Sequence, residues 1–161
     1  MSTAIITATS NSKIIKINRN RFNPEFIGIG WTVIPKETDA RAAALTELDV
    51  SRLKHVLMVK DGEINVTGEE RLKRLKNSNY IRLDADVFIT LWENQHLIPE
   101  SWKEKVDGKI RYILFNGTVL SDLRGNRNIL YLCWRDARWR CGVCWLALDW
   151  DASRLSAVLE S

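Results

Sequence analysis

Nowhere does the 161-residue chain contain a run of about 18 apolar residues, so its sequence pattern excludes a membrane-spanning helix. Residues Met1 to Lys16 lack the charged start followed by roughly 7–15 apolar positions that marks a secretory signal peptide. Cysteine is scarce and odd in number, three in all, so no disulfide framework is expected and the cytoplasm is the expected compartment. Proline is equally rare, and there is no repeat, linker or low-complexity tract. What is present is 45% apolar residues with 24 basic against 20 acidic side chains, which is the composition of a folded protein and not of a disordered one. The length suits one domain over residues 1–161, able to bury about 70% of the surface of its unfolded chain. The net charge of +4 comes without a polybasic run, so the basic pI is only a weak pointer to nucleic acid.

Residues 1–20 are polar apart from Ile14-Ile15-Lys16-Ile17 and read as a flexible arm or a first strand. Ile27–Ile34 reads as a strand ended by Pro35, Ala42–Leu48 as a strand or short helix, and Leu53–Val59 as an apolar run closed by a turn at Asp61-Gly62. Thr67-Gly68-Glu69-Glu70 opens a helix over Glu69–Lys76. Asp84 or Asp86 caps a second helix, in which Val87 with Leu91 and Phe88 with Trp92 share one apolar face. Pro99 starts a short third helix through Trp102. From Ile110 the pattern turns to strands: 110–115, a hairpin turn at Asn116-Gly117, 118–123, then a last hairpin of 129–134 and 138–146. The expected class is α+β, with helices in the middle and a Trp-rich antiparallel sheet in residues 110–161.

A second absence is confined to that last third. Residues 1–109 hold ten Lys, nine Glu, one Gln and two Met, whereas residues 110–159 hold none of the four. Strand propensity disfavours Lys and Glu but predicts fewer charges altogether. Charges are not fewer: seven Arg and four Asp stand there, although Arg and Asp supply only 13 of the 32 charges of residues 1–109. The genetic code offers a cause. Lys, Glu, Gln, Met and Trp are written only with codons ending in a purine. Asn codons (AAC) with randomised adenines would yield Arg, Asp, Cys, Gly, Ala, Val, Leu and Ser but never Lys, Glu, Gln or Met. The stretch Arg135 to Leu155 has that alphabet, interrupted by tryptophans whose codon (TGG) contains no adenine to mutate.

In this the chain resembles the variable proteins of diversity-generating retroelements, in which an error-prone reverse transcriptase copies a template repeat, mutates its adenines and overwrites the 3′ end of a target gene. The pattern Tyr131-Leu132-Cys133-Trp134, Trp139, Trp145-Leu146, Trp150 and Ser156-Ala157-Val158-Leu159 is also similar to a multi-copy family of candidate-phylum bacteria with no assigned activity. The resemblance implies a ligand-binding protein with a fixed scaffold and a variable region over 128–155. It further implies a C-type-lectin-like scaffold of the formylglycine-generating-enzyme subtype, whose helix-then-Pro-Glu-Trp signature is matched by Phe88, Trp92, Leu97, Pro99, Glu100 and Trp102. The terminal Gly-Phe-Arg motif and the catalytic cysteine pair of that subtype are missing, so the scaffold is carried over and the catalysis is not.

Alternation along the final strand puts Trp139, Val143 and Trp145 on one face and Arg138, Arg140, Gly142 and Cys144 on the other. The Trp face is expected to pack on Phe88, Trp92 and Trp102, with Trp134 and Trp150 completing the scaffold. The expected ligand contacts on the opposite, solvent face are Arg135, Asp136, Ala137, Arg138, Arg140, Gly142, Cys144, Asp149, Asp151 and Arg154, while Cys141 and Val143 face inward. The implied partner is a macromolecule, a protein in preference to nucleic acid, and not a membrane.

Residue types suited to three other chemistries are present. Cys141-Gly-Val-Cys144 with Cys133, His55 and His96 supplies metal-ligand types, but residues three apart on a strand point to opposite faces. Asp84 and Asp86 form a carboxylate pair, better explained as helix caps. Arg71, Lys73, Arg74 and Lys76 would serve as phosphate contacts in a winged-helix-like nucleic-acid module. A protein inhibitor acting through a fixed sheet face is the remaining alternative. No catalytic set, cofactor loop or metal set is recognised, so a non-catalytic protein without cofactor or metal is expected.

Overall fold

The β-rich third organises the molecule in the computed structural model, which describes residues 13–161. Strands β8 (Arg127–Arg135) and β9 (Arg138–Trp145) pair antiparallel in unbroken register, from Arg135 opposite Arg138 to Asn128 opposite Trp145. Their two-residue turn, Asp136-Ala137, has φ of 54° and 59°, the positive-φ geometry that matches the twist of the flanking strands. β7 (Tyr112–Ser121) lies on the other side of β8, and β11 (Arg154–Leu159) runs parallel to β7. β11 pairs antiparallel with β4 (Lys54–Val56) and also with β6 (Ile81–Arg82), while β2 (Thr32–Val33) pairs with the end of β7. Two small ladders stand apart: β1 (Ile14–Lys16) with β3 (Glu47–Asp49), and β5 (Val66–Thr67) with β10 (Asp149–Trp150). The result is a mixed α+β fold.

Helices cover this sheet on both faces. A short helix α1 (Ala40–Ala43) follows the Asp39 cap, and α2 (Gly68–Lys76) begins where the Thr67 hydroxyl accepts from Glu70 N–H at 3.1 Å. α3 (Ala85–Glu93) is capped by Asp84, which accepts from Val87 N–H at 3.1 Å. The apolar face of α3, with Val87, Phe88, Ile89 and Leu91, shares the larger core with Trp102, Ile113, Phe115, Leu130, Leu132, Trp139 and Leu155. On the opposite face Leu72 of α2 closes a smaller core with Leu114, Ile129, Cys144, Leu146 and Trp150. The sheet is thus dressed on both sides, and only part of the second face reaches solvent.

Several sequence expectations are corrected. Asn116-Gly117 is not a hairpin turn, because β7 runs through it with a bulge between Phe115 and Leu120. The bulge is stitched to neighbouring segments: Gly117 N–H donates to Leu83 O (2.7 Å), Asp39 N–H to Gly117 O (3.0 Å) and Ile34 N–H to Val119 O (2.9 Å). Asn-Gly therefore marks an irregular strand here and not a chain reversal. Ile27–Ile34 is strand only at Thr32–Val33, since Gly30 takes φ of 88° and Ile29 stands in solvent. The third helix is a single 3-10 turn, Glu100–Lys103. Ala42–Leu48 divides between α1 and β3, and the strand within Leu53–Val59 is only Lys54–Val56. Of the arm expected over residues 1–20, residues 1–12 lie outside the described residues, and Ile14–Lys16 forms the strand alternative.

Gly117 is needed for space. A Cβ there would lie 2.2 Å from Arg82 O and 2.7 Å from the Leu83 carbonyl, both backbone atoms that cannot swing away. Gly117→Ala is expected to cost about 1–3 kcal/mol, the usual range for overpacking. A denaturation midpoint equal to that of the parent protein would remove this close approach.

Candidate binding face

On the second face of the sheet the register lines up one side chain from each strand: Arg154 of β11, Tyr112 of β7, Cys133 of β8 and Arg140 of β9. The adjacent row is Ser156, Leu114, Tyr131 and Gly142. Arg135 and Arg138 end the face at the hairpin turn. Tyr112 and Tyr131 meet edge to face, centroids 4.9 Å apart, and the Arg154 guanidinium lies 5.1 Å above the Tyr112 ring. A Cβ at Gly142 would fall 2.7 Å from the Tyr131 hydroxyl oxygen, so the absent side chain lets Tyr131 lie across β9. Burial pushes the Tyr131 phenol up to about 12, which keeps it neutral at neutral pH.

The turn carries the free charge. Arg140 donates to Asp136 at 3.2 Å and to Arg135 O at 3.3 Å. Arg138 is exposed and makes no ion pair among the described residues. Arg135, Asp136, Ala137 and Arg138 form the exposed tip, with Arg140 and Gly142 half-buried behind it. Two of the predicted face residues fall elsewhere. Cys144 is buried at 9% exposure in the smaller core, because α2 and the chain after β9 cover that end of the face. Asp149 stands in the separate ladder with β5.

Asp151 and Arg154 are held near the face by a buried cation. The Arg71 guanidinium, 2% exposed, donates to the carbonyls of Arg154 and Asp151 at 2.6 Å each and to that of Trp150. Burial would raise the Asp151 carboxyl, but the Ser153 hydroxyl and N–H together with Lys109 outweigh it and hold it at about 2. The folded state thus keeps Asp151 ionised to lower pH than the unfolded chain, where its value is 3.8. That stabilisation is present above about pH 4 and is lost as the pH falls toward 2. Asp151→Asn is expected to flatten this part of the stability–pH curve. An unchanged acid limb in urea titrations at stepped pH would contradict it.

The scaffold tryptophans separate. Trp139 (7% exposed) and Trp102 belong to the larger core, against which Trp92 and Trp134 are partly buried. Trp134 stacks edge-on with Trp139 at 5.3 Å and carries Lys103 Nζ 4.1 Å over its ring. Trp150 fills the smaller core, whereas Trp145 is 45% exposed and contradicts its expected inward position. β9 has run past the α3 core by residue 145, so the parity that buries Trp139 no longer meets a covering layer.

The residues of the rival readings are not gathered into sites. Cys141 lies on the face opposite Cys133 and Cys144, and His55 contacts Arg111 at 3.1 Å. Among the described residues no three of His, Cys, Asp and Glu stand close enough to hold a metal ion. Burial raises all three thiols, Cys141 to about 11. Asp84 takes a two-pronged contact from Arg19, and Asp86 accepts the N–H groups of Asn20 and Phe22. Arg71 is buried, Arg74 pairs with Glu63 and Glu70, and Lys76 pairs with Glu37. Lys73 is the one member of that basic run with neither an ion pair nor a buried carbonyl partner among the described residues. No helix among the described residues is long and apolar enough to cross a membrane.

Tyr112 and Tyr131 lie on this candidate face and are absent from the contacts expected from the sequence. Strand parity alone could have found them, had the β7–β8 register been known. Comparison with protein-family models, curated proteins and solved structures returns no match to this chain.

Proposed function

We propose that the protein is a non-catalytic binding protein whose C-terminal face is diversified by adenine-directed mutagenic retrohoming, on a scaffold of lectin-like type. The observation that carries this reading is the division of labour along β8 and β9. Trp134 and Trp139, whose codons adenine mutagenesis cannot touch, pack on the larger core. Arg135, Asp136, Ala137, Arg138 and Arg140, all within the restricted alphabet, project from the turn and the open face. A scaffold built in this way tolerates exchange at the tip because its stability is stored elsewhere. The favoured ligand is a protein, met by Arg and Tyr side chains of the kind that dominate interface energetics.

Sequencing codons 110–161 in a natural population, with the flanking DNA, tests the reading. Variation concentrated at 135–155 and mapping to adenines of a nearby repeat beside a reverse-transcriptase gene is the expected result. A constant 3′ end without such a repeat would overturn it. At the protein level, exchanging Arg138 or Arg140 is expected to change partner choice with under about 0.5 kcal/mol of stability change, as for ordinary surface positions. Thermal melts of a panel of variants check the second half of that statement directly.

A further inference from the structure

We propose that the outer edge of β9 is a docking strip for an extended polypeptide segment that alternates acidic and apolar residues and adds to the sheet as a further strand. β9 is the terminal strand of the seven-stranded order and pairs with β8 alone. It is eight residues long, against three for β4 at the other end of that order. Because the turn has two residues, Arg135 and Arg138 are a hydrogen-bonded pair, and alternation makes Arg140, Gly142 and Cys144 inward-bonding as well. The N–H and C=O groups of Trp139, Cys141 and Val143 therefore project outward. None of them bonds to another backbone group among the described residues. An unpaired edge of this length is a template for another strand unless charge or cover blocks it.

The side chains along the edge specify what fits. On one face stand Arg138 and Arg140, followed by Gly142, across which Tyr131 lies. On the other stand Trp139, Cys141 and Val143, apolar and continuous with the larger core. An added strand would place alternate residues beside each set: acidic ones beside the arginines, where opposite charges across a pair are favourable, and apolar ones beside Cys141 and Val143. A second copy of this strand would bring four guanidinium groups onto one face, so an acidic partner is the better occupant. Main-chain bonding supplies affinity whatever stands at 138 and 140, and those two side chains set the choice of partner. The inference rests on the proposed binding function only in that last respect.

The test uses fluorescence anisotropy with a labelled peptide of about ten residues alternating Asp and Val, long enough to span the strand. Controls are an alternating Lys-Val peptide and a block peptide with the same Asp and Val content. The expected result is binding of the alternating acidic peptide alone. Arg138→Glu with Arg140→Glu should weaken it on the order of tenfold and shift preference to the Lys-Val peptide. Val143→Pro removes an outward N–H while sparing the β8 ladder, and should abolish binding. Should that variant not fold, hydrogen exchange on the parent protein decides: the amides of Trp139, Cys141 and Val143 must gain protection when the peptide binds. No binding, equal binding of the block peptide, binding without protection of those amides, or a dimer in which they are already protected would each overturn the proposal. A constant 3′ end with peptide binding would remove diversification and leave the docking strip standing. A variable 3′ end without peptide binding would do the reverse.

Discussion

Trp150→Ala is expected to lose about 3–5 kcal/mol, and Trp145→Ala under about 1 kcal/mol. Trp150 is 1% exposed and fills the smaller core, its ring so close to Gly68 that a Cβ there would sit 2.5 Å away. Its indole N–H donates to Trp145 O at 3.1 Å, and the Arg71 guanidinium stands 5.9 Å from its ring. Truncation would leave a cavity between α2 and the sheet and remove the shorter of the two hydrogen bonds to that carbonyl, which keeps only Leu148 N–H at 3.4 Å. Trp145 has no such enclosure. Urea denaturation midpoints of the two variants measure the difference directly, and equal losses would refute the assignment of the two residues to opposite surroundings.

Arg71→Met is expected to cost about 3–5 kcal/mol, because it leaves three carbonyls without their donor and each such group costs about 1–3 kcal/mol when buried. The substitution keeps the volume but strips donors from the carbonyls of Trp150, Asp151 and Arg154 together. Burial pulls the Arg71 guanidinium down to about 10, so it remains charged at neutral pH. Arg71→Lys should recover little, because one ammonium cannot reproduce the planar fork that reaches all three carbonyls. Chemical denaturation of both variants provides the check. A loss under about 1 kcal/mol for Arg71→Met would show that the loop before β11 holds its shape without the clamp.

These two residues also mark how far the sequence alone could be read. Local rules sufficed where the causes are local: the caps Thr67 and Asp84, the apolar face of α3, and the alternation that buries Trp139 while exposing Arg138. They failed where the cause lies far along the chain. Arg71 looked like part of a solvated basic stripe because its acceptors are 79 to 83 positions away. Cys144 and Trp145 exchanged their expected surroundings because strand parity says nothing about where each covering layer ends. Asn116-Gly117 suits a hairpin turn in isolation, and only its bonds to the 34–39 and 83 segments make it a bulge.

β11 lies between β4 and β7 in the sheet and not at its margin. Lys54 on β4 meets Glu160 across 106 positions of chain, so the early strand waits for a partner made much later. At about 5–20 residues per second of synthesis, that wait lasts on the order of 5–20 s, with the sheet still open and its edges unsatisfied. Folding is therefore withheld until the region between them has been translated. A frameshift or a core-breaking exchange anywhere in residues 128–155 would leave β4 and β7 unclosed, exposed to chaperones and proteases. Closure of the sheet thus tests residues 128–155 as a unit, because their buried positions must fit before β4 and β7 are both paired.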